Sequence, residues 1–165
     1  MEALEQPKLI ITCRAGSEDI CIHEICNVLF AKDPSVSAIK TKYRGLVLVY
    51  TKLDVNRAYT AVVHREYGFV ENIIPVHCVL EHTASRENLV ECLTRLKLPA
   101  SVKLKVRSRG TRSLSSELFR QLSNILWELG VQHTPASSTC LYAEVLESKL
   151  YIGVGTCHPV FKFAN

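Results

Sequence analysis

The chain has 165 residues, 47% apolar and 22% charged, which fits a folded protein with a core of its own and excludes a disordered or collagen-like chain. Its net charge is +4, and no apolar run reaches the roughly 18 residues that a membrane-spanning helix needs. Residues 1–66 hold nine basic and eight acidic side chains, so the positive excess is local and a diffuse polycation is excluded.

In chain order, KLIITCRA at residues 8–15 is a short apolar run rich in β-formers and predicts a strand. Ser17 is placed to cap a helix, with Glu18 and Asp19 in the first turn where the helix dipole favours acids. Ile22, Ile25, Cys26 and Leu29 recur at i, i+3, i+4 and i+7 and give this helix one buried face, as far as Asp33-Pro34. VSAIKTKY and GLVLVYTKL predict a hairpin about Arg44-Gly45, and Asp54 caps a second helix that turns Val55, Ala58, Tyr59 and Val62 inward. This β-α-β-β-α order, with a strand to follow, is the split βαβ pattern of a ferredoxin-like half.

Tyr67-Gly68 breaks the pattern. FVENIIPVHCVLEH is extended, and Pro75 marks a bend or an edge position. The domain boundary expected nearby gives an N-terminal ferredoxin-like domain over residues 1–72 and an α/β domain over 73–165, an α+β protein. Ser85 caps a helix with Leu89, Val90, Leu93 and Leu96 on its apolar face, and SVKLKVRSR is the next strand. A helix over 114–129 buries Leu118, Leu122, Ile125 and Leu129, with Phe119 and Leu126 flanking, before Gly130 takes the left-handed position after its end. Phe119 and Trp127 are expected to pack inward. CLYAEVLESKLYIGVG closes the chain as two strands joined near Glu147-Ser148.

Residues 101–113, SVKLKVRSRGTRS, hold five cations and no acid. Alternation in a strand sends Val102, Leu104, Val106 and Ser108 one way and Lys103, Lys105, Arg107 and Arg109 the other, about 6.5–7 Å apart along the face. Gly110 allows a sharp turn, and Arg112, Ser115 and Ser116 fall at the start of a helix whose first N–H groups are unpaired donors. Guanidinium groups, hydroxyls and a helix N-terminus aimed at one place make a phosphate site. A solvated strand face that discourages edge-to-edge association is the bland alternative. Lys40, Lys42 and Arg44 form a second cluster, placed on one hairpin face by period-2 spacing, with Tyr43 expected in the core.

The stretch VKLKVRSRGTRSLSSELFRQLSNILWELGVQHTPASSTCLYAEVLESKLYIGVG resembles a THUMP domain, an RNA-binding module of tRNA-modification enzymes. The resemblance rests on a basic strand ending R-x-R-G, a serine-containing helix start, a V-x-x-T-P connection, and strands like LYAEVLE and KLYIGVG. FVENIIPV is similar to the entry segment of THUMP domains in tRNA cytidine acetylation adaptors, and a ferredoxin-like half precedes THUMP in 4-thiouridine synthetases. The resemblance implies tRNA as partner, held at its acceptor stem and single-stranded 3′ end, with contacts from Arg107, Arg109, Gly110, Arg112, Ser115 and Ser116. Lys103 and Lys105 would extend the phosphate track, and Lys40, Lys42 and Arg44 would continue it along the stem. Thr134-Pro135-Ala136 departs from the Asn-Pro-Asp-like connection of many family members, which leaves any contact made by that Asn or Asp in doubt.

No P-loop, G-x-G-x-x-G loop or nucleophile elbow occurs, and no methyltransferase, deaminase or pyrophosphatase domain of the kind that follows THUMP is present, so catalysis, a cofactor and a small-molecule substrate are not expected. The implied role is a non-catalytic adaptor that presents tRNA to a modifying enzyme, by resemblance an N4-acetylcytidine acetyltransferase. A module whose basic face docks an acidic protein subunit is the rival reading, and a small enzyme using Cys157-His158 or His77-Cys78 a third. Cys21, His23 and Cys26 resemble metal ligands in type, but on a helix Cys26 lies on the buried face and His23 points away from it, and His77-Cys78 and Cys157-His158 lack the C-x₂-C spacing of a strong zinc signal, so no metal is expected. An odd count of seven cysteines and the absence of a signal-like start in MEALEQP favour reduced thiols and a cytoplasmic chain, nuclear in a eukaryote, with a few intramolecular disulfides as the alternative for a hyperthermophilic source.

Overall fold

A computed structural model describes residues 6–110 and 112–162, with the backbone alone at Arg112, Ser113 and Lys162. The chain divides into two compact units, Met1–Val76 with His158–Asn165 and His77–Cys157. Among the described residues no helix is long and apolar enough to cross a membrane.

The first unit contains β1 (Leu9–Cys13), α1 (Glu18–Phe30), β2 (Ser37–Lys40), β3 (Leu46–Tyr50), α2 (Val55–Val62), β4 (Arg65–Tyr67) and β5 (Val70–Pro75). Its main sheet runs β2-β3-β1-β5 with antiparallel neighbours throughout, the order of a ferredoxin-like fold once the short β4 is set aside. Leu9, Ile11, Val47, Val49 and Ile73 bury one sheet face against Ile25 and Leu29 of α1 and Ala58 and Val62 of α2. Pro75 ends the edge strand β5, where a missing N–H costs no ladder bond.

Polar side chains fix the connections. Asp54 caps α2, accepting from Arg57 N–H at 2.8 Å. Ser17 makes no side-chain cap to α1; Glu18 instead reaches the hairpin turn and accepts from Gly45 N–H at 2.8 Å. Gly45 has φ +74°, and a Cβ there would lie 2.5 Å from the Cys13 carbonyl oxygen, so both conformation and space demand glycine. The buried Asp33 accepts from the Ser35 and Thr51 hydroxyls, each at 2.6 Å, and these bonds hold its carboxyl well below the usual range. Glu24 of α1 accepts from the backbone N–H groups of Gly68, Phe69 and Val70, which accounts for the break at Tyr67-Gly68. The buried face of α1 is Cys21, Ile25 and Leu29, one turn apart; Cys26, expected on that face, is half-buried on its flank. The last strand, β11 (Val160–Lys162), pairs in parallel with β4.

The second unit contains β6 (Cys78–Glu81), α3 (Arg86–Arg95), β7 (Ser101–Arg109), α4 (Arg112–Glu128), β8 (Gln132–His133), β9 (Thr139–Leu146) and β10 (Lys149–Thr156). Its sheet runs β6-β10-β9-β7-β8, with β7 parallel to β8 and β9 and the other pairs antiparallel. One face buries Val102, Leu104, Leu141, Ala143, Val145, Leu150 and Ile152 under α3 and α4. Ser85 caps α3, accepting from Asn88 N–H at 3.2 Å. On α4 the buried residues are Leu118, Leu122, Ile125 and Leu126, whereas Leu129 is 39% exposed. Leu118, Leu122 and Ile125 hold the expected face and Leu126 joins them from its flank; Leu129 is left out because α4 ends at Glu128.

The expectation of reduced thiols is overturned in this unit. Cys78 on β6 and Cys92 on α3 are disulfide-bonded with Cα atoms 6.3 Å apart, and Cys140 and Cys157 are bonded with Cα atoms 5.1 Å apart. Antiparallel pairing of β9 with β10 returns the chain to its starting end and brings Cys157 to Cys140, a proximity that composition does not reveal. Cys13, Cys21 and Cys26 of the first unit are free. Bridges closing loops of 14 and 17 residues each stabilise by about 3 kcal/mol in the chain-entropy account. Alkylation of the denatured, unreduced protein is expected to label three cysteines and, after reduction, all seven. Seven labels without reductant would remove both bridges.

Candidate nucleic-acid interface

Strand β7 is built by its hydrophobic half. Val102 and Leu104 are buried under the helices, with Val106 packed beside them, so Lys103, Lys105, Arg107 and Arg109 occupy the opposite sheet face. The parallel register sets Lys103 beside Cys140, Lys105 beside Tyr142, Arg107 beside Glu144 and Arg109 beside Leu146. On its other side β7 meets β8 only at Ser101 and Val102, and His133 Nδ1 accepts from the Leu104 N–H at 3.2 Å. Beyond that point, among the described residues, the outer edge of β7 has no strand partner.

The cations differ in their surroundings. Arg107 is exposed, Lys103 is half-buried, and the Lys105 ammonium lies 6.0 Å from the centre of the Tyr142 ring, at the limit of a cation–π contact. Burial, then repulsion from Lys103 and Arg107, lowers the pKa of Lys105. Arg109 faces Glu144, with Nη2 to Oε1 at 3.9 Å. Glu144 is only 3% exposed, and both its Oε1 and Arg109 Nε are buried without a hydrogen-bond partner. Burial pushes the Glu144 carboxyl up to about 7, against the pull of Arg109 and Arg107. The face expected to be wholly cationic therefore contains a buried acid. Glu144 was invisible as a member because it comes from another strand; its signal in the sequence is a lone acid inside the apolar run LYAEVL.

Gly110, at φ +108°, ends β7 and turns the chain into α4. Ser115 and Ser116 lie in the opening turns of α4 and, with Val106 and Phe119, line a shallow depression on the helix side of the sheet. The hydroxyls and the cation row thus sit on opposite faces of β7, not at one point, because even and odd positions diverge at an edge strand. The Arg112 side chain lies outside the described residues.

In the first unit β2 stops at Lys40, so Lys42 and Arg44 belong to the turn and period-2 spacing does not align them. Lys40 is paired with Asp19 at 3.2 Å, Lys42 lies 5.4 Å from the centre of the Tyr43 ring, and Arg44 is exposed. Tyr43, expected in the core, is half-buried. Phe119 and Trp127 are also displaced from the expected interior, at 37% and 84% exposure, since the burying stripe of α4 leaves them on its outer side. The thiol chemistry of Cys78 and Cys157 is closed by their disulfides, and burial raises the free thiols Cys13 and Cys21 above their ordinary pKa. Among the described residues no group of three or more His, Cys, Asp or Glu could hold a metal ion.

The folded Glu144 holds its proton to higher pH than the unfolded group at 4.5, so raising pH through the interval from 4.5 to about 7 favours the unfolded chain. From pH 5 to pH 8 this group is expected to cost about 2–3 kcal/mol of stability. Glu144→Gln should flatten the decline, read as urea-denaturation free energies at the two pH values. An unchanged pH slope would show that Glu144 is not the titrating group.

No family model matches the chain, and no curated protein matches it in sequence. Solved structures do match. PH1313 from Pyrococcus horikoshii is similar at 14% identity and TM-score 0.64, over 95% of this chain and 56% of that one. TrmN from Thermus thermophilus is similar at 21% identity and TM-score 0.61, over 90% and 45%. A 4-thiouridine synthetase, solved as an RNA complex with bound ATP, is similar at 12% identity and TM-score 0.51, over 95% and 43%. The chain spans about half the length of these proteins. At such identities the likeness shows the fold: α+β, with a ferredoxin-like half followed by a THUMP-like α/β unit.

Proposed function

We propose that the chain is a tRNA-binding protein that grips the acceptor stem and 3′ end and presents the tRNA to a modifying enzyme, performing no chemistry itself. The observation that carries this reading is the row of Lys103, Lys105, Arg107 and Arg109 on one face of a rigid strand. Burial and mutual repulsion lower the Lys105 pKa, an unfavourable state that a bound polyanion relieves. Side chains repeating at about 6.5–7 Å suit successive phosphates. The likeness to a 4-thiouridine synthetase solved with RNA supports the same ligand class. Lys42 and Arg44 serve as secondary phosphate contacts on the stem. By the sequence resemblance an N4-acetylcytidine acetyltransferase is one candidate for the partner enzyme.

The test is titration of a labelled acceptor minihelix, with and without its single-stranded 3′ tail, at several salt concentrations. The variant beside it should be Lys103→Glu/Arg107→Glu, because Arg109→Glu would set a second carboxylate against the buried Glu144. The salt slope of the native protein should indicate several released counterions, at about −0.7 to −0.9 per phosphate, and the variant should lose about 1.5 of that slope and at least ten-fold in affinity. An indifferent variant, or no binding near physiological salt, would return the row to a solvated face or to an acidic protein partner.

A further inference from the structure

The outer stripe of α4 is occupied by Ser116, Phe119, Ser123 and Trp127, spaced three, four and four residues apart. Two depressions lie along it. The first is lined by Val106, Ser115, Ser116 and Phe119. The second, of about 630 Å³, runs between α4 and β8 and is lined by Ser123, Trp127, Gly130, Val131, Gln132 and His133. Phe119 and His133 join them, their rings edge to face with centroids 5.4 Å apart. The result is a track from the N-terminal turns of α4 to Trp127, with about 12 Å of helix between Phe119 and Trp127.

Resting on the RNA-binding reading above, we infer that this track is a subsite for unpaired nucleotides, whose bases stack on Trp127 and on the Phe119–His133 pair. Trp127 exposes 84% of its surface, which serves no packing purpose in the chain itself. The groove walls also carry hydrogen-bonding groups suited to base edges. Gln132 lines the groove, and His133 beside it accepts from the Leu104 N–H at Nδ1, which leaves Nε2 as the ring's donor. Among the described residues no acid lines either depression. The two carboxylates of α4, Glu117 and Glu128, are neutralised by Arg120 and Arg86. A strand of phosphates therefore meets no bare negative charge along the helix, and the positive end of its dipole lies at the start of the track. Aromatic faces combined with an anion-tolerant surface are how single-stranded nucleic acid is held without sequence readout.

Trp127 is the single tryptophan of the chain, so its emission reports this subsite alone. The experiment titrates the full chain with a hairpin RNA bearing a 3′ tail of about four unpaired nucleotides, within the span such sites cover, and with the same hairpin blunt-ended. Emission and the anisotropy of a label on the stem are read together. The tailed RNA should quench Trp127 and the blunt RNA should not. Trp127→Ala should weaken the tailed RNA roughly ten-fold, the effect of losing one stacked base, and leave the blunt RNA unaffected, while Trp127→Phe retains most of the affinity. Binding seen by anisotropy with unmoved emission and an indifferent Trp127→Ala variant would overturn the subsite and leave the RNA reading intact, pointing to a protein on this groove. Equal quenching by both RNAs would overturn the assignment to unpaired nucleotides. Absence of any anisotropy change would remove the RNA-binding reading and the subsite with it.

Discussion

The parallel pairing of β7 with β9 is the constraint on which the second unit depends. Parallel strands need a crossover, and α4 with its loop supplies it, laying Leu118, Leu122, Ile125 and Leu126 over Val102 and Leu104. The register has no freedom. A slip of one residue would turn Lys103, Lys105 and Arg107 into the helix-covered core and expose the valines, and burying unpaired charges costs several kcal/mol each. Core formation and display of the cations are two sides of one alternation.

The same register has an electrostatic consequence. Setting β9 beside β7 places Tyr142 and Glu144 among the cations, so the row is graded and not uniform. Arg107 remains exposed, while Arg109 is drawn to a buried carboxylate that burial keeps reluctant to ionise. The paired backbone fixes the spacing at which these side chains leave the strand, while the exposed Arg107 keeps its rotamer freedom.

Helix α4 divides its duties between faces. Its inner stripe closes the core and its outer stripe leaves Ser116 and two aromatic rings exposed. The edge of β7 runs between that outer stripe and the cation row, with β8 covering only its first two residues.

How much of this was legible in the sequence follows from the range of each force. Period-2 alternation in SVKLKVRSR, the caps at Asp54 and Ser85, the break at Gly68 and the β-α-β-β-α order are local, and local stereochemistry placed strands and helices close to where they occur. The cationic residues of β7 could likewise be assigned to one face before any strand partner was known. Contacts between residues far apart in the chain could not be read. Glu144 joined the cation row through register, Cys157 met Cys140 through an antiparallel return, and β11 crossed back to pair with β4. The inward stripe of α4 was visible in its period at Leu118, Leu122 and Ile125, but whether anything covers the rest of the helix depends on how the crossover docks, and so Trp127 and Phe119 were expected inside. Sequence by itself determined the elements and the local charge; only the tertiary structure decided the neighbours of each residue, because burial and pairing depend on strands and helices that the chain brings together from a distance.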